Sequence, residues 1–223
     1  MAQYGILLAT TSGEVWVTSS STPIALQARK TAALQGTSGF NTQVTHTFTA
    51  GQPVVAFVHC TVEVEITQKI SGNTITVDFL RPGGTGTAYV YFFSIFPQTK
   101  PDYGLAVWDA SGTLILTNET RTLSDVVTLG TAGVDVSSGY NINTTRAGKW
   151  ACMPVMLGLI TGVISSGGQP LPYAAIYKSM AKLEGSNTRI YARPQTTPTG
   201  SLQNVAYSNM RNVIMAINCA NYD

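Results

Sequence analysis

Charge is what this sequence has least of. Asp, Glu, Lys and Arg make up 11% of its 223 residues, against roughly 25% in an ordinary soluble domain. The 13 basic residues form no cluster and the net charge is +2, so neither a basic nucleic-acid footprint nor an acidic tail is present. Cysteine is also scarce. Cys60, Cys152 and Cys219 are odd in number and show no metal-ligand spacing, so they read as small buried hydrophobes. A run long enough to cross a bilayer is missing as well. One long charge-free stretch is Trp150 to Tyr177, and its apolar part, Trp150 to Ile164, falls short of the roughly 20 residues a spanning helix needs. Pro154, Gly158 and Gly162 interrupt it, so it reads as one or two buried strands, with no membrane insertion. No basic segment opens the chain and strand-like residues begin at Tyr4, so no secretory signal is expected.

Strand formers and turn formers fill the chain instead. Hydrophobic residues make up 44% of it, and it holds 30 Thr, 21 Gly and 10 Pro. Thr favours strands, whereas Gly and Pro punctuate turns, so the composition predicts an all-β fold. Gly5 to Ala9 and Glu14 to Thr18 flank a Gly-containing turn at Thr11-Ser12-Gly13, a hairpin signal. Val62, Val64 and Ile66 alternate with Glu63 and Glu65, the period of a half-buried strand. Further strands are expected at Val54 to Val58, Thr74 to Leu80 and Ala88 to Phe96. In the last of these Tyr89, Tyr91 and Phe93 alternate with Val90, Phe92 and Ser94, so both faces are apolar, as in a central core strand. Two prolines in Pro97-Gln98-Thr99-Lys100-Pro101 then mark a linker.

After that linker the opening of the chain recurs. Tyr4-Gly5 returns as Tyr103-Gly104, Ser12-Gly13 as Ser111-Gly112 and Thr18 as Thr117, all offset by 99 residues without a gap. Further landmarks follow in order: Pro53-Val54 with Pro154-Val155, Arg81-Pro82 with Arg193-Pro194, and Ala88 to Phe96 with Asn212 to Cys219. This period is too long for a solenoid. It predicts two tandem, duplicated, β-sandwich-like domains, residues 1–98 and 103–223, joined by a linker at 99–102. One short helix is expected over Tyr173 to Leu183, where Ile176, Met180 and Leu183 follow helical spacing and Gly185 could end it.

Candidate chemistry is sparse. His59 and Cys60 are adjacent on a strand, so their side chains point to opposite faces and cannot form a nucleophile–base pair. His46 lies in an alternating strand and reads as structural. Glu63 and Glu65 share a strand face roughly 7 Å apart; that spacing could suit a glycosidase pair, but a solvated face is the expected reading. The Gly-rich run Arg81 to Thr87 lacks the Gly-Lys-Ser/Thr ending of a phosphate loop and reads as an exposed turn. No catalytic residue, metal or cofactor is expected, and the chain reads as a non-enzyme that works by contact.

The stretch Ala88-Tyr89-Val90-Tyr91-Phe92-Phe93-Ser94-Ile95-Phe96, the proline linker, and the hairpin Tyr103-Gly104-Leu105-Ala106-Val107-Trp108-Asp109-Ala110-Ser111-Gly112-Thr113-Leu114-Ile115-Leu116 resemble a family of tailed-bacteriophage tail proteins. Members share an aromatic strand, a short proline linker and a Tyr-Gly hairpin, which often opens them too. Thr117 stands where the family usually has an acidic residue. Tyr4, Gly5, Gly13, Tyr103, Gly104 and Gly112 carry the fold signature, which includes no active residue. The resemblance implies a virion protein of a long, non-contractile tail, made in the host cytoplasm, at the tail tip or fibres. Its expected partners are other tail proteins, as a homotrimer or three-copy attachment. The alternative is a receptor-binding module for a host surface glycan or pilus, with Trp16, Trp108 and Tyr140 as candidate contact residues.

Overall fold

The computed structural model of the protein describes residues 8–9, 15–17, 22–37, 39–166, 168–198 and 200–223. The chain is all-β, as its composition predicts. In order, the strands are β1 (Leu8–Ala9), β2 (Val15–Val17), β3 (Ala25–Leu34), β4 (Asn41–Thr47), β5 (Val54–Cys60), β6 (Glu65–Ser71), β7 (Thr74–Leu80), β8 (Gly86–Ser94), β9 (Ala106–Trp108), β10 (Leu114–Thr117), β11 (Val127–Leu129), β12 (Asn143–Ala147), β13 (Trp150–Cys152), β14 (Met156–Ser166), β15 (Gln169–Glu184), β16 (Asn187–Pro194), β17 (Leu202–Asn209) and β18 (Ile214–Asn218). Two single 3-10 turns, Gly139–Asn141 and Cys219–Asn221, complete the described structure.

One pairing pattern runs twice. In the first half β8 lies between β3 and β5, and β7 lies between β4 and β6, all antiparallel. In the second half β18 lies between β11 and β13, and β16 lies between β12 and β15, again antiparallel. The hairpins that precede each run also match. Leu8 pairs with Val17 and Ala9 with Val15; 99 residues on, Val107 pairs with Leu116 and Trp108 with Leu114, with the same register shift between the two pairs. Tyr4, Gly5 and Gly13 lie outside the described residues. One landmark fails: by pairing, the counterpart of β5 is β13, which ends before Pro154, whereas Pro53 precedes β5. A proline dipeptide recurs there without marking the same end of the strand.

The two halves share sheet and core. β5 meets its counterpart β13 through Val58 and Cys152, so β3-β8-β5 continues into β13-β18-β11 as one sheet. Alternation decides what each face buries. Val90 and Phe92 of β8 face Val44, Ile75, Val77 and Phe79 of the β4-β7-β6 sheet. Tyr91 and Phe93 face the opposite way, into a cluster with Phe57, Ala151, Ile217, Cys219 and Tyr222. Both faces of β8 from Val90 to Ser94 are therefore buried within the chain, as its pattern predicts, and this stretch supplies no surface for assembly. A third cluster fills the second half, with Leu129, Cys152, Ile214 and Ala216 facing Ile142, Ala181 and Ile190.

The expected helix over Tyr173 to Leu183 is instead the core of β15, a strand of 16 residues. Met180 and Ala181 are both buried, on opposite faces, and backbone pairing to β14 on one side and β16 on the other satisfies the ladder. Two flanking strands outweigh a weak helical spacing. Pro170 and Pro172 fall on the half of β15 that β16 does not reach, where a missing N–H disrupts only one ladder.

Candidate functional site

Three places combine exposed or charged side chains with a defined geometry: a polar seam between the halves, the β9–β10 hairpin, and the extended sheet β15-β14-β17.

The seam lies where β6 and the loop before it meet β15 and β16. Glu65 is buried at 5% exposure, which corrects the expectation of a solvated Glu63–Glu65 face. One Glu65 oxygen accepts from Arg81 and the other from Gln195, so partners 16 and 130 residues away supply what burial removes. Glu63 precedes β6 and accepts a 2.6 Å hydrogen bond from the Tyr191 hydroxyl. It also lies 3.7 Å from Lys182 and 3.6 Å from Arg193. The Tyr191 bond, helped by these cations, holds the Glu63 carboxyl below its ordinary value. Both carboxylates are committed to ion pairs, and Glu63 is lowered where a general acid needs a raised pKa. The arrangement thus fastens the halves rather than poising a glycosidase pair.

His59 is buried and its Nδ1 lies 2.8 Å from the Trp150 carbonyl, across from β5 to β13. Burial lowers its pKa to about 4. All three cysteines are buried free thiols, with burial pushing Cys152 up to about 12 and Cys219 up to about 11. Thiolate character is what reactivity requires, so these are packing residues. His46 stacks on Phe92 at 4.9 Å. Among the described residues no group of three or more His, Cys, Asp or Glu could hold a metal ion, and no helix is long and apolar enough to cross a membrane.

The β9–β10 hairpin is organised by Asp109. Its Oδ1 accepts from the Ser111 and Thr113 amides at 2.9 and 2.8 Å and from the Ser111 hydroxyl at 2.7 Å. Gly112, at φ +81°, closes the turn, and Gly104 sits at φ +116°, a conformation essentially confined to glycine. Gly104→Ala is expected to cost about 1–3 kcal/mol of hairpin stability. Hydrogen exchange should show faster exchange of the β9–β10 amides, and Gly112→Ala should act less because its turn opens to solvent. Equal exchange in Gly104→Ala and wild type would contradict this. Trp108 is half exposed and Tyr103 nearly fully so. Trp16 lies in β2.

The third place was hidden by the helical spacing. Read as a strand, β15 puts Leu171, Tyr173, Ala175 and Tyr177 on one face. Tyr177 and Tyr173 lie opposite Gly158 and Gly162 of β14, and Tyr207 of β17 lies opposite Ile160. Tyr140, from the 3-10 turn, sits 6.0 Å from Tyr177 and 5.7 Å from Tyr207, centroid to centroid. Residues 156–177 and β17 contain no charged side chain, while Leu171, Val205 and Tyr207 are exposed. Of the expected contact residues, Tyr140 joins this cluster and Trp108 belongs to the hairpin. Among the described residues no aromatic contact links the two.

Comparison of the chain with protein-family models, with curated proteins and with solved structures finds no match.

Proposed function

We propose that the protein is a structural or adaptor component of a phage tail tip or fibre, acting by protein–protein contact and located in the virion. The observation that carries this reading is the charge-free surface formed by β14, β17 and residues 169–177 of β15, with Leu171, Val205 and Tyr207 exposed. An uncharged apolar surface on a sheet is what a partner covers, since it lacks the like-charge repulsion that keeps surfaces apart. The resemblance over residues 88–117 supplies the tail context, and the twice-run pairing supports two copies of one unit in the chain. A homotrimer, or three copies on a symmetric tail, remains the arrangement proposed.

The test is incorporation. Purified particles should contain the protein in a multiple of three copies by quantitative mass spectrometry, and Tyr207→Lys should lower that number while the purified variant keeps the wild-type unfolding midpoint. Absence from particles, together with a stable monomer by light scattering, would defeat the reading. A receptor-binding role is favoured by one specific feature, the Tyr140–Tyr177–Tyr207 cluster with its exposed outer ring. Under that reading Tyr207→Lys particles assemble normally but adsorb poorly to host cells.

A further inference from the structure

The seam has more cations than its anions neutralise. Arg81, Lys178, Lys182, Arg189 and Arg193 face only Glu63, Glu65 and Glu184, and each of these carboxylates lies within 4 Å of one or more of the other four cations. Lys178 has no ion pair among the described residues. Glu65 is the carboxylate that acts on it, yet both Glu65 oxygens are engaged, by Arg81 and Gln195. Lys178 also stands directly opposite Arg193 in the β15–β16 ladder, and like charges facing across strands are destabilising. Arg193 is answered by Glu63; Lys178 is not. Its half-buried ammonium has lost part of its water, and burial lowers its pKa against the smaller opposing pull of Glu65.

A cleft opens beside it. Ile66, Thr67, Gln68, Pro154, Val155, Met156 and Lys178 line an open cleft of about 180 Å³, room for a short organic acid. Ile66, Pro154, Val155 and Met156 supply apolar atoms beside the polar Thr67 and Gln68, and Thr67 already donates to Asp78. A single cation beside these apolar side chains suits one negative charge on a short chain. A phosphate is met best by the planar bidentate fork of an arginine, which the residues lining this cleft do not include.

We propose that the cleft at Lys178 binds a carboxylate bearing a short aliphatic group, its charge paired with the Lys178 ammonium and its hydrocarbon against Ile66, Val155 and Met156. The group is either a free organic acid or the glutamate side chain of a bound polypeptide, which share this chemistry. The site is independent of the tail assignment.

Reductive methylation of the intact protein, read lysine by lysine by mass spectrometry, tests it. Butyrate should protect Lys178 saturably, slowing its modification about tenfold at ten times the Kd, and leave Lys100 unchanged. Butanol and inorganic phosphate should not protect. Butyrate should also raise the unfolding temperature of wild type but not of Lys178→Met. An N-acetyl-glutamate amide that protects at lower concentration than butyrate would assign the site to a polypeptide side chain; the reverse order would assign it to a free acid. Absence of saturable protection by either carboxylate, equal protection by phosphate, or an undiminished thermal shift in Lys178→Met would each overturn the proposal.

Discussion

Replacing Phe92 with alanine is expected to cost about 3–5 kcal/mol of stability. Phe92 is fully buried in the middle of β8. Its cross-strand neighbours are Ala28 on β3 and Ala56 on β5, small residues that leave the space the ring fills. His46 stacks on it from the opposing sheet. The alanines cannot grow into the void, and the paired backbones of three strands cannot close over it, so the cavity persists and the loss lies toward the upper end. Because whole-domain stability is only about 5–15 kcal/mol, the urea midpoint should fall by a large fraction of its value, with little change in the slope of the transition. Ile70→Ala is the matched control. Ile70 is 57% exposed at the end of β6, and its loss should stay within about 0.5 kcal/mol. Equal losses at the two sites would mean that the sheets do not pack through β8 as described.

Stability should also decline in two stages as pH falls. His59 is the first. Burial lowers its pKa from 6.5 to about 4, against a partly compensating bond with the Trp150 carbonyl; Lys149 lowers it further and Asp223 opposes. The folded state therefore holds a neutral imidazole that the unfolded chain protonates more readily. Its contribution is complete above pH 6.5 and is lost as the pH falls toward 4, a change on the order of 3 kcal/mol. His46 adds a smaller effect of the same sign, lowered by burial and then by Lys30. Glu63 and Asp223 form the second stage. The Tyr191 bond lowers the Glu63 pKa. Burial raises that of Asp223, but bonds from Tyr91 and Lys149 outweigh it and leave it lowered. Carboxylates lowered in the folded state stabilise above their ordinary pKa, and that stability disappears as pH falls through the folded value. Both link the halves, Glu63 to Tyr191 and Asp223 to Arg29 and Tyr91. Urea midpoints at a series of pH values check this. His59→Asn keeps a donor toward the Trp150 carbonyl but cannot titrate, so its midpoint should fall less than wild type between pH 6.5 and 4. Parallel curves would remove His59 from the account.

The Lys178 cleft shows why a site of this kind escapes a sequence. Glu65 meets Arg81 and Gln195, and Glu63 meets Tyr191 and Lys182, so the residues that consume each charge come from the other half of the chain or from a different strand. Spacing along β6 indicates only that two carboxylates share a direction. Which one is buried, and which lysine is left without an anion, depends on register between β15, β16 and the loop before β6. The tyrosine cluster was concealed differently: Ile176, Met180 and Leu183 repeat at helical intervals, and that pattern masks the two-residue alternation of Leu171, Tyr173, Ala175 and Tyr177.

Read alone, the sequence determined what depends on nearest neighbours. Thr-rich alternation and Gly-Pro punctuation required strands and turns. The aromatic run Tyr89 to Phe93 required a strand buried on both faces, because adjacent residues point oppositely and both sets are apolar. The 99-residue offset required two hairpins of one design, and their registers agree. Tertiary structure decided whatever depends on distant partners. It made β15 a strand, since ladders with β14 and β16 satisfy its backbone on both sides, a gain that no local spacing contains. It joined β5 to β13 in one sheet, and it buried Glu65 by bringing a cation and an amide to it. Each of these rests on hydrogen bonds or ion pairs between residues far apart in the chain, whose worth is set by burial and register rather than by either residue's own neighbours.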